Sequence, residues 1–563
     1  VNTENVQRQD VTGDAQGSAS SRDSVMALTL WQRIGIAIVL MVVPLMLLAL
    51  PLPPTKFKAA QAKQDRVFVA AIVLALLSAA AYVVPSPLFP RRRSVLPLIV
   101  LGTSLLLMAN ITWNKSFRDY VGETDYHREV FRRVMHKVYH WPMYGRYDNA
   151  IARWNETAQR YSFKTLPWVL VSSGIAAAWY LWARRRGDRR WDARSLAVLL
   201  SFQLALIFFF ALCEPWPMRL SLKLSGYSEF KKDIPAFSGI ADTLRNYVSR
   251  MPTLEWYGQH YPPGNLVLLE IEQALGVPGF AKTLVTLMTV LSAIPLYKLA
   301  RELELSERAI TATLLLFTAN IGVLIYCTIN TTSLLLLPGT MCLWMLVRSL
   351  KRNELGSAVA LGLCFTFYLF FSFSGSILGV LMALTTALGW WRGVFPTRNV
   401  IRTGLVSLIS VGVAIGAIYV STRFNLVSCF IGAVRGHQAQ QGNEGFDDAR
   451  RYLLRSTGNI IAYLMSIVPL CIVGAWAMWG RRLTAANALY TALGLTVLVA
   501  GFSGLFYVET ERIWIFLTPF FALAAGDEIA RRSQFEGSRI TYLVFLLVLI
   551  ISCSQEFLFQ HYR

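Results

Sequence analysis

Charge is scarce in this chain. Of its 563 residues only 15% are Asp, Glu, Lys or Arg, while 55% are hydrophobic and the mean hydropathy is +0.45. Soluble domains carry about 25% charged residues, so this composition excludes an ordinary soluble enzyme. Acids are scarcer than bases, 33 Asp and Glu against 54 Lys and Arg, which leaves a formal net charge of +21. Cysteine is also sparse. The seven, at 213, 327, 342, 364, 429, 471 and 553, are scattered through apolar sequence with no C-x-x-C pair. That spacing argues against a disulfide framework and against a zinc site.

The sequence does have long apolar runs. A bilayer-spanning helix needs about 20 apolar residues. Runs near that length are expected at 31–50, 67–85, 95–112, 166–184, 195–213, 280–298, 309–325, 332–347, 356–372, 374–391, 403–420, 458–479, 484–506, 513–526 and 538–553. The expected fold is therefore all-α, a polytopic transmembrane bundle of about 13–15 spanning helices with interfacial helices in its outer loops. Its basic residues concentrate in short loops such as Arg91–Arg93, Arg184–Arg194, Arg348–Arg352, Arg392–Arg402 and Arg481–Arg482. This is the cytoplasmic signature of the positive-inside rule, and it accounts for the net charge without nucleic acid. Residues 51–66, with Lys56, Lys58, Lys63 and Arg66, fall on the wrong side of that alternation.

The chain divides into a polar cytoplasmic tail (1–27), an N-terminal membrane module (28–190), a membrane core (191–526) and a C-terminal membrane helix (527–563). Polar loops 113–165, 213–279, 421–457 and 505–512 are expected on the outer side. The first contains Asp125 and, over 128–139, a basic amphipathic helix suited to a lipid surface. The second contains Glu229, Lys231, Lys232 and Asp233, then a short interfacial helix over 242–250 with Asp242 as its expected N-cap and Leu244, Tyr247 and Val248 buried. It closes with His260-Tyr-Pro-Pro-Gly264, a turn into an apolar segment over 264–279 that is too short to cross. The third carries Arg435, Arg450, Arg451 and Arg455; the fourth packs Glu509, Glu511 and Arg512 against the start of a membrane helix. Charges at that depth face a cavity or one another.

An outer-loop acid (Asp233), a surface helix and the His260-Tyr-Pro-Pro-Gly264 turn resemble the GT-C superfamily of integral-membrane glycosyltransferases. Among its members are protein O-mannosyltransferases and lipid A aminoarabinose transferases. Glu509-Thr-Glu511-Arg512-Ile-Trp514 is similar to an acidic-Arg-Trp run in bacterial members. The resemblance covers residues 195–526, and at Asn330 the chain departs from it, where many relatives carry a second acid. It implies transfer of a sugar from a polyprenyl-phosphate donor to a lipid, glycan or protein acceptor on the non-cytoplasmic face of a bacterial inner membrane. Asp233 is then the general base, with Asp125 and Glu509 in reserve. Arg512, Lys231 and Lys232 hold the donor phosphate, while His260 and Glu511 position acceptor or phosphate. A divalent metal on Asp233 and Glu509 would suit the leaving phosphate, although no metal-ligand spacing supports one. The alternatives are an O-antigen ligase or polymerase centred on 421–457, a flippase or secondary transporter, and a non-catalytic scaffold. A transporter would be expected to show internal repeats and mid-membrane charges, and neither is evident in the sequence.

Overall fold

A computed structural model describes Thr103 and residues 190–213, 228–329, 331–441, 449–478, 484–504 and 513–536. The expected tail, N-terminal spans, loop 113–165 and C-terminal span lie outside the described residues, as do Asp125, Asn330, Glu509, Glu511 and Arg512. Among the described residues every regular element is helical.

The elements follow in chain order: α1 (Ala193–Cys213), α2 (Ser228–Asp233), α3 (Ile240–Arg250), α4 (Trp256–His260), α5 (Gly264–Leu275), α6 (Phe280–Leu291), α7 (Ala293–Glu302), α8 (Glu307–Thr318), α9 (Ile321–Ile329), α10 (Leu336–Arg352), α11 (Leu355–Phe371), α12 (Gly375–Trp391), α13 (Thr397–Thr422), α14 (Leu426–Gln441), α15 (Ala449–Ser466), α16 (Val468–Met478), α17 (Ala485–Phe502) and α18 (Thr518–Glu536). Among the described residues, four stretches are long and apolar enough to cross a membrane: Phe280–Glu302, Thr331–Arg352, Thr397–Thr422 and Ala485–Phe502. The first runs through α6 and α7. The second opens as a 3-10 turn, Thr331–Leu335, before α10.

Helix α13 shows why these segments suit lipid. Its 26 residues rise about 39 Å at 1.5 Å each, ample for a hydrocarbon core of about 30 Å. Ile401, Leu405, Leu408, Val413 and Val420 are more than half exposed, on a face that only an apolar solvent would tolerate. The rest of the bundle is tight. At Gly526 of α18 an added Cβ would lie 2.3 Å from Thr313 Oγ1 of α8, so those two backbones touch, as small residues allow in membrane bundles. Expected span 280–298 breaks between α6 and α7 at Ser292, and two others are likewise interrupted. The 309–325 run divides between α8 and α9 around Asn320, and 458–479 divides between α15 and α16 at Ile467.

The bundle has two chemically different ends. At one, Arg352 pairs with Glu302 at 2.9 Å, Arg301 with Glu307, Lys351 with Glu304 and Arg348 with Glu354. Of these residues, Arg348, Lys351 and Arg352 belong to the expected basic loop Arg348–Arg352. Helix α11 starts at that end and finishes at the other, where the segments around residues 228–265, 331 and 370–373 and the α13–α14 corner meet. A separate small core sits there, built from Phe237, Tyr247, Met251, Leu254, Leu266, Phe424, Leu426, Cys429 and Ala433. It docks the surface helices onto the bundle and fixes the candidate site.

Candidate functional site

Asp233 ends α2, and its carboxyl turns inward, 4% exposed. Oδ1 accepts the amide N–H of Glu255 at 2.8 Å, which ties α2 to the entry of α4 across 22 residues of chain. Oδ2 is buried without a hydrogen-bond partner. It lies against Gly258 of α4, where a Cβ would approach it to 2.4 Å. Only glycine lets this turn rest on the carboxylate. Burial pushes the Asp233 carboxyl above the usual range, and the Glu255 charge adds to this. The Glu255 amide hydrogen bond and the Lys232 ammonium oppose it.

Of the lysine pair, Lys232 reaches Glu255 at 3.7 Å on the exposed side of the same turn. Lys231 is half-buried. His260 stacks on Trp256 with ring centroids 4.1 Å apart, and its Nδ1 lies 2.6 Å from the Trp256 carbonyl. A carbonyl can only accept, so Nδ1 carries the hydrogen and Nε2 the lone pair of the neutral ring. Burial lowers the His260 pKa, opposed by that carbonyl bond, which favours the neutral ring. A neutral imidazole offers a phosphate no charge.

Tyr247 of α3 is fully buried, and its hydroxyl is 2.9 Å from the carbonyls of both Gly258 and Tyr261. Phe237 stacks on its ring at 6.1 Å and Phe424 meets it edge-on at 6.3 Å. Burial raises its pKa well above the ordinary value, so it stays a donor.

The Pro262-Pro263-Gly264 turn sits on the end of α11. A Cβ on Gly264 would lie 2.4 Å from the Phe370 carbonyl. Asn265 donates from Nδ2 to the Phe371 carbonyl at 3.3 Å, and its Oδ1 accepts from Thr331 Oγ1 at 2.6 Å. The last carbonyls of a helix have no intrahelical donors, and this turn supplies one. Asn265 thus joins the loop before α5, the end of α11 and the 3-10 turn before α10.

Two expectations are corrected. Asp242 is not the N-cap, because α3 starts two residues earlier and Gly239 takes that place. Asp242 sits in the first turn and accepts from Ser238 N–H at 3.0 Å and Asn246 Nδ2 at 2.5 Å, with Arg250 at 3.2 Å. These bonds, the Ser238 amide first, hold its carboxyl below the usual range, and its role remains structural. Of the three side chains expected to be buried on α3, only Tyr247 is; Leu244 and Val248 are half-buried.

Several contributors were not singled out from the sequence: Glu255, Trp256, Gly258, the Tyr247 hydroxyl and Glu270. Glu270 of α5 is 5% exposed, accepts from Thr243 Oγ1 at 2.6 Å, and has a buried second oxygen with no partner. An acid inside an apolar run, here with Glu272 two residues on, was the available signal. Arg435 of α14 is exposed, and its neighbour Gly436 packs toward the Gln259 carbonyl, which places this arginine beside α4.

The structure therefore sets Asp233 and Lys232 together against the entry of α4, with Lys231 on the same short helix, and it places His260 at the far end of α4 against Trp256. Asp125, Glu509, Glu511 and Arg512 lie outside the described residues. Trp514, just after that last group, is buried against Tyr463, with rings 5.5 Å apart. Among the described residues no group of three or more His, Cys, Asp or Glu side chains is placed to hold a metal ion.

No family model matches the chain, and no curated protein does. Among solved structures it is similar to the oligosaccharyltransferase of the archaeon Archaeoglobus fulgidus in its apo form. The two share 14% identity with a TM-score of 0.43, over 65% of this chain and 56% of that one. A likeness this distant does not carry a reading of function; the residues around Asp233 have to.

Proposed function

We propose that this chain is a membrane glycosyltransferase that moves a sugar from a polyprenyl-phosphate donor to an acceptor hydroxyl, with Asp233 as general base. The observation that carries the reading is the state of Asp233. It is a buried carboxylate with one oxygen bonded and one oxygen bare, at the end of the bundle where several polar segments converge. Burial of an unpartnered carboxylate oxygen costs about 1–3 kcal/mol or more, so a purely structural cap would be expected to satisfy both oxygens. Clusters of perturbed carboxyls also mark sites of proton transfer.

In the proposed step the acceptor oxygen attacks the anomeric carbon and forms the new glycosidic bond. The bond from that carbon to the phosphate oxygen breaks, and the lipid phosphate leaves with the electron pair. The acceptor proton passes to Asp233 Oδ2. A base whose pKa is lifted toward the working pH holds that proton better than an ordinary carboxylate. Lys231, Lys232 and Arg512 are assigned to the phosphate, whose charge develops as the bond breaks. His260, neutral with its Nε2 lone pair, suits a hydroxyl better than a phosphate, and is assigned to orienting the acceptor. The acceptor side is proposed to face away from the cytoplasm.

A second reading has an observation of its own: Arg435 beside α4 would suit a ligase or polymerase that works through arginines of the 421–457 segment. Asp233→Asn tests the first. Asparagine keeps an oxygen for the Glu255 amide and so keeps the tie to α4, but it cannot take a proton. Sugar transfer, followed by mass spectrometry of lipid-linked glycans, is expected to fall at least 100-fold, in line with loss of a general base. Retained transfer in Asp233→Asn with loss in Arg435→Ala would replace the first reading by the second.

A further inference from the structure

We propose that Tyr247 is a positioning residue, holding the Trp256–His260 turn down on Asp233 so that the second carboxylate oxygen stays dry until the turn lifts. The inference rests on Asp233 being the proton acceptor proposed above. Three points pin this turn. Its entry is held by the Glu255 amide donating to Asp233 Oδ1, and its middle and exit by the single Tyr247 O–H, shared between the Gly258 and Tyr261 carbonyls. Gly258 lies beside the buried Oδ2, so movement of the middle of the turn would open that oxygen to an acceptor hydroxyl.

Without a restraint, water would gain by entering, since Oδ2 has nothing to bond in the closed arrangement. Tyr247 is built to supply the restraint. Its ring is clamped between Phe237 and Phe424 in the small core, and the Phe424 contact anchors it to the α13–α14 corner. The catch therefore belongs to the scaffold, and the turn is the part that moves. Trp256, 41% exposed at the start of α4, gives an entering substrate a surface to push against. The titratable groups acting on or acted on by Asp233 are Lys232 on its own helix, Glu255 at the entry of the turn, and Tyr247 from α3. Of these, Tyr247 is the one whose removal leaves every formal charge in place.

Tyr247→Phe keeps the ring and its packing and deletes only the catch. Gly258→Ala approaches from the other side, because its methyl would meet Oδ2 and lift the turn. The full chain in nanodiscs is titrated by infrared difference spectroscopy, with the Asp233 carboxyl band identified by its disappearance in Asp233→Asn. Both variants are expected to lower the Asp233 midpoint, as water reaches Oδ2. Amide exchange over 255–261 should speed up, and the acid limb of the transfer–pH profile should move down by the same interval. A simple loss of stability would not move that midpoint. An Asp233 midpoint unchanged or raised in Tyr247→Phe overturns the proposal, whatever happens to rate. If Asp233→Asn still transfers sugar while Tyr247→Phe lowers the midpoint, the base assignment fails and the catch stands.

Discussion

Glu270 and Asp233 are two carboxyls in one predicament. Each has one satisfied oxygen and one buried without a partner, and burial raises the pKa of each. For Glu270 the Thr243 hydroxyl opposes that rise and the Asp242 charge adds to it. A carboxyl with a raised folded pKa binds more protons in the native state than in the unfolded one, between the two values. Stability therefore falls as pH climbs from the ordinary glutamate value through the raised one, and the penalty is complete above it. Glu270→Gln keeps an oxygen for Thr243 and removes the titration. Thermal unfolding in detergent should then depend less steeply on pH over that window than in the parent chain; parallel slopes would remove Glu270 from the account. Asp242 contributes with the opposite sign. Its folded pKa is lowered, so its stabilisation is present above the ordinary aspartate value and is lost as pH falls through the lowered one. From sequence Asp233 could be suspected because it stood in a polar loop. The Tyr247 hydroxyl could not, since a tyrosine on an amphipathic stripe reads as packing and its partners are main-chain carbonyls 11 and 14 residues away.

Among the elements, several apolar runs were legible to within a few residues because membrane helices declare themselves by length and hydropathy, while α13 begins at Thr397 before the expected 403 and α18 runs to Glu536 past the expected 526. Helix α11 begins and ends within one residue of its expected bounds, and α12 starts one residue late and ends where expected. What composition could not show was the short polar geometry between them: the 3-10 turn at 331–335, the break at Ile467, and the join through Asn265. That join depends on hydrogen bonds spanning 66 and 106 residues, which no local pattern encodes. It yields a prediction about coupling between elements. Thr331→Val removes the donor to Asn265 Oδ1 with little change of shape, and leaves a buried amide oxygen unpaired at a cost of about 1–3 kcal/mol. Asn265→Ala removes both bonds and leaves the Phe371 carbonyl bare. The double variant should cost about as much as Asn265→Ala alone, because the Thr331 bond is already gone there. Strictly additive losses in chemical denaturation would mean the two side chains act independently.

At the scale of the whole molecule, the two ends of the bundle carry different chemistry. One end is laced by Arg301–Glu307, Arg348–Glu354, Lys351–Glu304 and Arg352–Glu302; the other holds the buried carboxyls, the Pro-Pro-Gly turn and the small aromatic core. Basic loops between membrane helices stay on the cytoplasmic side. If that rule sets the orientation here, the Asp233 end faces away from the cytoplasm, where a lipid-borne sugar on the outer leaflet would meet it. The described residues offer one reporter at each end: Lys232 with a side chain 61% exposed, and Glu304 with one 79% exposed. In a background with the native cysteines replaced, Lys232→Cys is expected to react with a membrane-impermeant maleimide in intact spheroplasts. Glu304→Cys should react only after the membrane is opened. The reverse labelling pattern would put Asp233 on the cytoplasmic side and exclude an outer-leaflet donor. Labelling of both from one side would break the alternation of α10, α11, α12 and α13 on which the two-ended reading of the bundle depends.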